Sequence, residues 1–553
     1  MHKLSILGLL LLAWLSAPAS IPLPSAPNWT SSDNDYSTGG AVADIDTNGF
    51  LDLCVSNGND MALNQNSVYL NQRGVLESQA SWRSSDNGYF GHCYAGDIEN
   101  DGLDDLAVGY LGAGSAGDFL ARVYRNVGSA LSPAPYWQAH DQHSSFDCCL
   151  GDIDLDGDLD LAISAGDAYT GSIDSARIYR NNSGVLDSLP FWTANQGTPS
   201  DAIRLCDIDN DGDLDLFVGQ RRRISMYRNN SGVLENTPSW VATRNIGWCL
   251  RLAFGDYDLD GYLDLAAACN DQLGDPNSIK VFRNNQGTLD TIARFNMLRQ
   301  GSSLYSSCVA WGDANGDGYP ELAAGGWWRP VVVFENRAGV LDTVATWSWS
   351  PANRYHLVCE ALVWTDIDNS HLIPYEVTAV GNGTTSLFTI RKIGPIQFLD
   401  SIKINGVPVP RSGYCCDILG AWVSFANPPP ESSQVRFFTR ISICHDLVVT
   451  NWDQPNGNHL FLNTTPVGTA APAGFKQLSS LSAWPNPVHD LVHISAPGAN
   501  SVSIYDPAGR LVLQSAIFNL QSGVSLRLGS LPTGVWFCRT DDGRELKLVR
   551  ADQ

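Results

Sequence analysis

Six stretches of nine residues in this chain put oxygen-bearing side chains at alternating positions and a glycine at the sixth. The fullest run from Asp152 to Asp160, with Asp154, Asp156, Gly157 and Asp158 between, and from Asp207 to Asp215, with Asp209, Asp211, Gly212 and Asp213 between. Carboxylates this dense repel one another unless a cation joins them, and an all-oxygen ligand set selects a hard ion such as calcium. When such a loop curls, the side chains at positions 1, 3, 5 and 9 converge, position 7 offers its backbone carbonyl, and the glycine permits the sharp turn. The expected ligands are Asp44, Asp46, Asn48, Phe50 and Asp52; Asp97, Glu99, Asp101, Leu103 and Asp105; Asp152, Asp154, Asp156, Asp158 and Asp160; Asp207, Asp209, Asp211, Asp213 and Asp215; Asp256, Asp258, Asp260, Tyr262 and Asp264; and Asp313, Asn315, Asp317, Tyr319 and Glu321, with Phe50, Leu103, Asp158, Asp213, Tyr262 and Tyr319 acting through their carbonyls. An EF-hand starts alike but needs a glutamate at position 12 between helices. Here position 12 is Ile163 or Val218 inside a β-type run, so that reading is rejected. A seventh copy from Asp366 through Asp368 and Ser370 lacks the glycine and the spacing, and no tight site is expected there.

The elements that position these loops form a repeat. A β-type run such as Leu159–Ile163 follows each loop, then a variable hairpin, then an aromatic strand ending in Asn: Asn71, Asn126, Asn181, Asn229, Asn284 and Asn336. After a polar turn a last strand carries Trp82, Trp137, Trp192, Trp240, and Trp347 or Trp349. Each unit thus holds four short strands, here called a to d, with the acidic loop joining a to b. The ninth positions Asp52, Asp105, Asp160, Asp215, Asp264 and Glu321 recur every 49 to 57 residues, and degenerate copies are expected at Glu376 and Asp446. Four-stranded units at this period predict the blades of a β-propeller. Trp29 lies as far before Asp44 as Trp82 does before Asp97, so the mature chain is expected to begin with a strand d. That strand would complete the last blade beside residues 458–463 and remove exposed sheet edges. The count on this reading is eight blades; seven is the alternative if residues 392–444 are an insertion.

Composition sets the context. The 553 residues exceed one ordinary core. The formal charge is −24, and 25 of the 58 acids sit in the six loops, so the acidity is concentrated rather than spread. Such a chain is not expected to seek nucleic acid or anionic lipid. Lys3, the apolar run Leu4–Leu15 and Ala17–Ala19 read as a signal peptide over residues 1–19, and no later run is long enough to span a bilayer. Thirteen cysteines in an oxidising compartment permit disulfides but leave an odd thiol, and their pairing stays open.

On these motifs the units resemble FG-GAP/VCBS repeats of the kind found in the integrin α-chain propeller, over residues 20–465. The resemblance implies calcium in the a–b hairpins, about six ions, and ligand binding on the opposite face, where the b–c hairpins and d–a connections lie. Residues 466–480 read as a linker. Residues 481–553 form a short β module with Trp484-Pro-Asn-Pro487, Tyr505–Arg510, Leu531-Pro-Thr-Gly534 and Glu545–Arg550. This tail resembles the C-terminal sorting domain of the type IX secretion system, a small immunoglobulin-like β-sandwich. Trp484 and Trp536 stand where that family more often has Tyr. The resemblance implies the outer-membrane secretion machinery as a partner, and a protein secreted or held on the outer surface of a Gram-negative bacterium.

The expected fold is therefore all-β: a calcium-stapled propeller followed by a small sandwich. No GxSxG or HExxH motif occurs. Gly112–Gly117 matches GxGxxG but leads into a strand, not the helix a phosphate loop needs. His140 and His143 lie in a polar connection without further metal ligands nearby in sequence. The ligand candidates are Tyr110, Tyr169, Arg221, Arg222, Arg223, Trp327, Trp328 and Arg329, at or near b–c hairpins, where aromatic faces and guanidinium groups suit glycans or acidic protein surfaces. The function expected is a secreted or cell-surface binding and adhesion module for a glycan or protein. The alternatives are a polysaccharide-active enzyme using a pocket on the propeller axis, and a purely structural surface protein.

Overall fold

Small and β-branched residues make the first strand of the first repeat. Ser37–Ala43 reads Ser-Thr-Gly-Gly-Ala-Val-Ala and is buried throughout. Little side-chain bulk lets neighbouring first strands crowd together: a Cβ on Gly91 would fall 2.2 Å from the Phe146 carbonyl oxygen. The computed structural model describes residues 21–112, 120–166, 173–195, 197–270, 278–297, 305–390, 396–453 and 456–466, and strands within residues 482–550. The signal peptide expected at residues 1–19, Tyr169, most of Gly112–Gly117 and the linker lie outside the described residues.

Strands a to d of the first repeat are Ser37–Ala43, Asp52–Asn57, Ser67–Tyr69 and Trp82–Arg83, paired antiparallel in that order. The next five repeat the pattern, beginning at Phe90, Cys148, Ser200, Trp248 and Ser306. A seventh sheet joins Leu362–Thr365, Asp446–Val449 and His459–Phe461 to the first strand of the described chain, Trp29–Thr30, with Trp29 opposite Leu460 and Thr30 opposite His459. Each strand a contacts that of the following repeat, and Leu362–Thr365 contacts Ser37–Ala43. Aromatic pairs follow the same order. Trp82 meets Tyr124, Trp137 meets Tyr179 and Trp192 meets Tyr227 edge to face, while Trp347 meets Phe461 and Trp29 meets Tyr69. These tryptophans are packing residues between repeats, as their periodicity suggests.

Residues 392–444, the stretch that the seven-blade alternative reads as an insertion, do not form a copy of the four-stranded repeat. Leu372–Val380, Ile396–Ile404, Val407–Pro408 and Gln434–Ser442 form one sheet, and Leu387–Thr389, Tyr414–Asp417 and Trp422–Phe425 another. Both are inserted in the a–b loop of the seventh sheet. They bury their own apolar residues, including Ile402, Val423, Phe425 and Phe437. Glu376 belongs to this insertion, and Asp446 opens strand b of the seventh sheet.

The chain divides into two bodies, residues 1–373 with 377–473, and residues 474–553 with 374–376. In the tail, Ser482–Trp484, Leu491–Ser495 and Val524–Arg527 make one sheet. Ser501–Tyr505, Leu511–Ala516, Gly534–Thr540 and Glu545–Arg550 make another. Among the described residues no helix is long and apolar enough to cross a membrane. No disulfide joins the described cysteines; Cys308 Sγ lies 3.3 Å from Cys359 Sγ.

Candidate metal centres

Two left-handed residues curl each acidic loop. In the third, Leu155 has φ 62° and Gly157 φ 92°; in the fourth, Asn210 has φ 60° and Gly212 φ 94°. The curl aims backbone N–H groups inward at the position-1 carboxylate. Asp152 accepts from the N–H of Asp156 at 3.0 Å and of Gly157 at 2.9 Å. Asp44, Asp97, Asp207 and Asp256 accept from the same positions of their own loops. The ninth side chain reaches back to the second N–H: Asp52 to Ile45 at 2.9 Å, Asp160 to Ile153 at 3.1 Å, Asp264 to Tyr257 at 3.1 Å and Glu321 to Ala314 at 2.7 Å.

Carboxylate oxygens converge to within 4.8 Å of one another in five sets among the described residues: Asp44, Asp46 and Asp52; Asp152, Asp154 and Asp160; Asp207, Asp209 and Asp211; Asp256, Asp258 and Asp260; and Asp366, Asp368 and Asp446. The last set was not expected from the sequence. The insertion separates Asp446 from its loop, yet Asp446 returns to the ninth place, accepting from the Ile367 N–H at 2.8 Å. Asp366 accepts from Ser370 and His371, so the seventh loop holds its shape without the glycine. The second and sixth loops do not appear among the convergent sets. In the second, Arg411 of the insertion pairs with Asp97 at 2.7 Å and Arg125 with Glu99 at 2.8 Å. In the sixth, the Asn315 amide donates to Glu321 at 3.1 Å.

The donor set fits a hard cation. In four successive loops the position-3 side chain has one buried oxygen without a hydrogen-bond partner: Glu99 Oε2, Asp154 Oδ1, Asp209 Oδ1 and Asp258 Oδ1. A buried carboxylate oxygen left unpaired is costly, and a divalent ion supplies what it lacks. Burial also drives the position-1 and position-9 acids upward. Asp152 and Asp207 are pushed to about 7, and Asp105, Asp215 and Asp264 to about 8, by desolvation and by neighbouring acids.

Each loop is tied to its neighbour by the asparagine that ends strand c. The Asn126 amide donates to the Asp104 carbonyl at 3.2 Å and to the Ile45 carbonyl of the preceding loop at 3.0 Å. Asn181, Asn229, Asn284 and Asn336 repeat this with Ile98, Ile153, Ile208 and Tyr257. Asn463 reaches Ala314 at 2.6 Å, and Asn71 reaches Ile367 of the seventh loop at 2.8 Å. The backbone N–H of these residues also donates to the ninth carboxylate, as Asn181 does to Asp160 at 2.8 Å. The sequence pattern displayed six of the seven asparagines, but their role needed the neighbouring loop.

One substitution pair tests the loop geometry. A Cβ on Gly157 would stand 2.6 Å from the Ala426 nitrogen, whereas one on Gly49, also left-handed at φ 87°, meets nothing within 4 Å. Gly49→Ala is expected to cost about 1–2 kcal/mol of backbone strain. Gly157→Ala is expected to cost more in the same thermal melts, since the insertion must also shift.

The ligand candidates are scattered in exposure. Arg221 and Arg222 are exposed at the b–c turn of the fourth repeat, with Arg223 half-buried. Arg221 lies over the Trp248 ring at 4.8 Å. Trp328 and Arg329 are half-buried at the same place in the sixth, Arg329 over Tyr305 at 5.2 Å. Tyr110 and Trp327 are not surface tips. Tyr110 is buried edge to face against Phe90 beneath Arg122. Trp327 is buried and donates to Glu360 at 2.6 Å. His143 joins Asp141 at 3.1 Å and also pairs with Asp174, in a cluster with Arg177 rather than in a ligand set.

A family model described as an FG-GAP-like repeat matches residues 44–108 and 207–267, and one described as a secretion system C-terminal sorting domain matches residues 482–550. A search of curated proteins found no match. Among solved structures, an Agrocybe aegerita lectin that recognises non-reducing terminal N-acetylglucosamine is 18% identical, with 58% of this chain and 83% of that chain covered and a TM-score of 0.38. BBS1N, solved in complex with ARL6DN, is 13% identical, with 63% and 90% covered and a TM-score of 0.39. Neither likeness is strong enough to carry function. Repeats of the matched kind often bind calcium, and a sorting domain of this kind implies a secreted or cell-surface protein that engages the type IX secretion machinery. The chain therefore carries FG-GAP-like repeats together with a type IX secretion sorting domain.

Proposed function

We propose that this protein is a calcium-loaded binding module, secreted or displayed on the outer surface of a Gram-negative bacterium, that engages a glycan or an acidic protein surface. Its propeller spans residues 20–465 and has seven blades, with Trp29–Thr30 completing the last; a signal peptide at 1–19 precedes it, and a linker at 466–480 leads to the sorting domain at 481–553. Calcium occupies the first, third, fourth, fifth and seventh loops, where three carboxylates meet. The second and sixth loops are weaker candidates.

The observation that carries this reading is the set of orphaned buried carboxylate oxygens at one phase of the repeat, on a chain bearing a sorting domain. The opposite face then presents Arg221, Arg222, Arg223, Trp328 and Arg329 as its contact residues. Glycan arrays and cell-binding assays on the calcium-loaded chain test it. Charge reversal by Arg221→Glu with Arg222→Glu is expected to weaken the captured interaction at least about tenfold, as loss of arginine contacts at an interface does. Failure to bind in either assay, with hydrolytic activity on a polysaccharide, would refute it.

A further inference from the structure

Between the strands a and the insertion lies a chamber of about 530 Å3, within the roughly 300–1,000 Å3 usual for small-molecule sites. Its walls include the buried Trp311 and Trp364 of the sixth and seventh sheets and Trp422 of the insertion. Two arginines from different strands, Arg204 and Arg251, also line it, and the loop carboxylates Asp207 and Asp256 stand elsewhere in its wall. Both are largely buried, and both lean on one carboxylate: Arg204 Nη1 donates to Asp147 at 2.7 Å and Arg251 Nη1 at 3.0 Å. Arg251 Nη1 also donates to His92 Nδ1 at 2.7 Å. His92 Nδ1 also lies 3.2 Å from Asp147 Oδ1, and burial and the two arginines hold the His92 pKa down at about 4. Arg204 Nη1 also donates to the Cys148 and Ile203 carbonyls, and its guanidinium lies over the Tyr94 ring at 5.7 Å. Among the described residues, the hydrogen bonds of both guanidinium groups run through Nη1. Two buried cations share one buried anion.

We propose that this chamber binds a small hydroxylated carboxylate, specifically a uronic acid sugar. A guanidinium fork pairs with a carboxylate through two parallel N–H donors, and here two guanidinium groups line one chamber. Indole faces suit the C–H face of a sugar ring. The chamber also holds Asp417, which accepts from the Tyr94 hydroxyl at 2.7 Å and from the Leu419 N–H at 2.9 Å. A carboxylate so placed meets a ligand hydroxyl well and a second anion poorly. This favours a sugar acid over a polyanion.

Calorimetric titration of the full calcium-loaded chain with glucuronate and galacturonate tests the proposal, with glucose and phenylacetate as comparisons. One uronate is expected to bind with 1:1 stoichiometry, and glucose at least tenfold more weakly. Arg251→Lys keeps a cation beside Asp147 but loses the fork, and is expected to weaken binding at least tenfold. Leu419→Trp, which fills the chamber from a partly exposed position, is expected to abolish it even if Arg251→Lys fails to fold. Absence of binding by both uronates, or binding indifferent to Arg251→Lys and Leu419→Trp, overturns the site. Equal binding of glucose overturns the role of the guanidinium groups, and equal binding of phenylacetate overturns the sugar.

Discussion

Chelating calcium is expected to lower the melting temperature of the mature chain by about 10 °C and to steepen its pH dependence. With a dissociation constant of about 0.1 mM, in the range of extracellular modules, a site in about 2 mM calcium contributes about 1.8 kcal/mol. Five such sites contribute about 9 kcal/mol to a body of about 440 residues, whose unfolding entropy is about 0.9 kcal/mol per degree. The sign of the pH effect follows from the loop acids. Without metal, Asp52, Asp152, Asp207 and Asp313 are raised to about 7, and Asp105, Asp215 and Asp264 to about 8, mainly by burial. Unfolded aspartate titrates near 3.9, so between about pH 4 and 8 the folded chain holds more protons than the unfolded one. Metal-free stability therefore falls as pH rises. Buried His92, His445 and His459, lowered to about 4, act with the opposite sign below about pH 6.5. The window from about 6.5 to 8 isolates the carboxylates. In calcium the slope flattens toward zero there, because the metal displaces the protons from the folded loops while unfolded aspartate holds none. Melts with calcium and with chelator across that window measure both effects; parallel slopes would count against metal in the loops.

The second large effect is expected at the asparagine ties. Asn181→Ala leaves the Leu159 and Ile98 carbonyls without their amide donor and deprives the Gly184 N–H of its acceptor. Each buried unsatisfied group costs about 1–3 kcal/mol, so a loss of about 2–5 kcal/mol is expected. Asn182→Ala, one residue on and exposed, should stay within about 0.5 kcal/mol. Asn71→Ala should behave like Asn181→Ala, since Asn71 ties the first repeat to the seventh loop across the ends of the repeat array. A small effect at Asn71 with a large one at Asn181 would argue against the seventh sheet adjoining the first.

The parts of this molecule written in a fixed period were legible before any coordinates. Alternating acids, the glycine, the aromatic strand and the tryptophan gave four strands per repeat. The spacing from Trp29 to Asp44 placed the first strand in the last sheet, where it pairs with Leu460 and His459. The insertion broke that code. It enters the seventh loop before the ninth position, so Asp446 reads as the start of an eighth copy although it folds back beside Asp366. Hairpin position alone also misplaced Tyr110 and Trp327, because proximity to a turn does not say which way a ring packs. The arginine chamber has no signature in the sequence at all. Arg204 and Arg251 come from separate repeats, and only the packing of neighbouring strands brings both onto Asp147.

Equilibrium dialysis of the metal-stripped mature chain against about 2 mM calcium, followed by elemental analysis, bears most directly on the loops as ion sites. About five to seven calcium ions per chain are expected, with one fewer in an Asp160→Asn variant. Less than one ion per chain, or a content unchanged by that variant, would contradict the assignment.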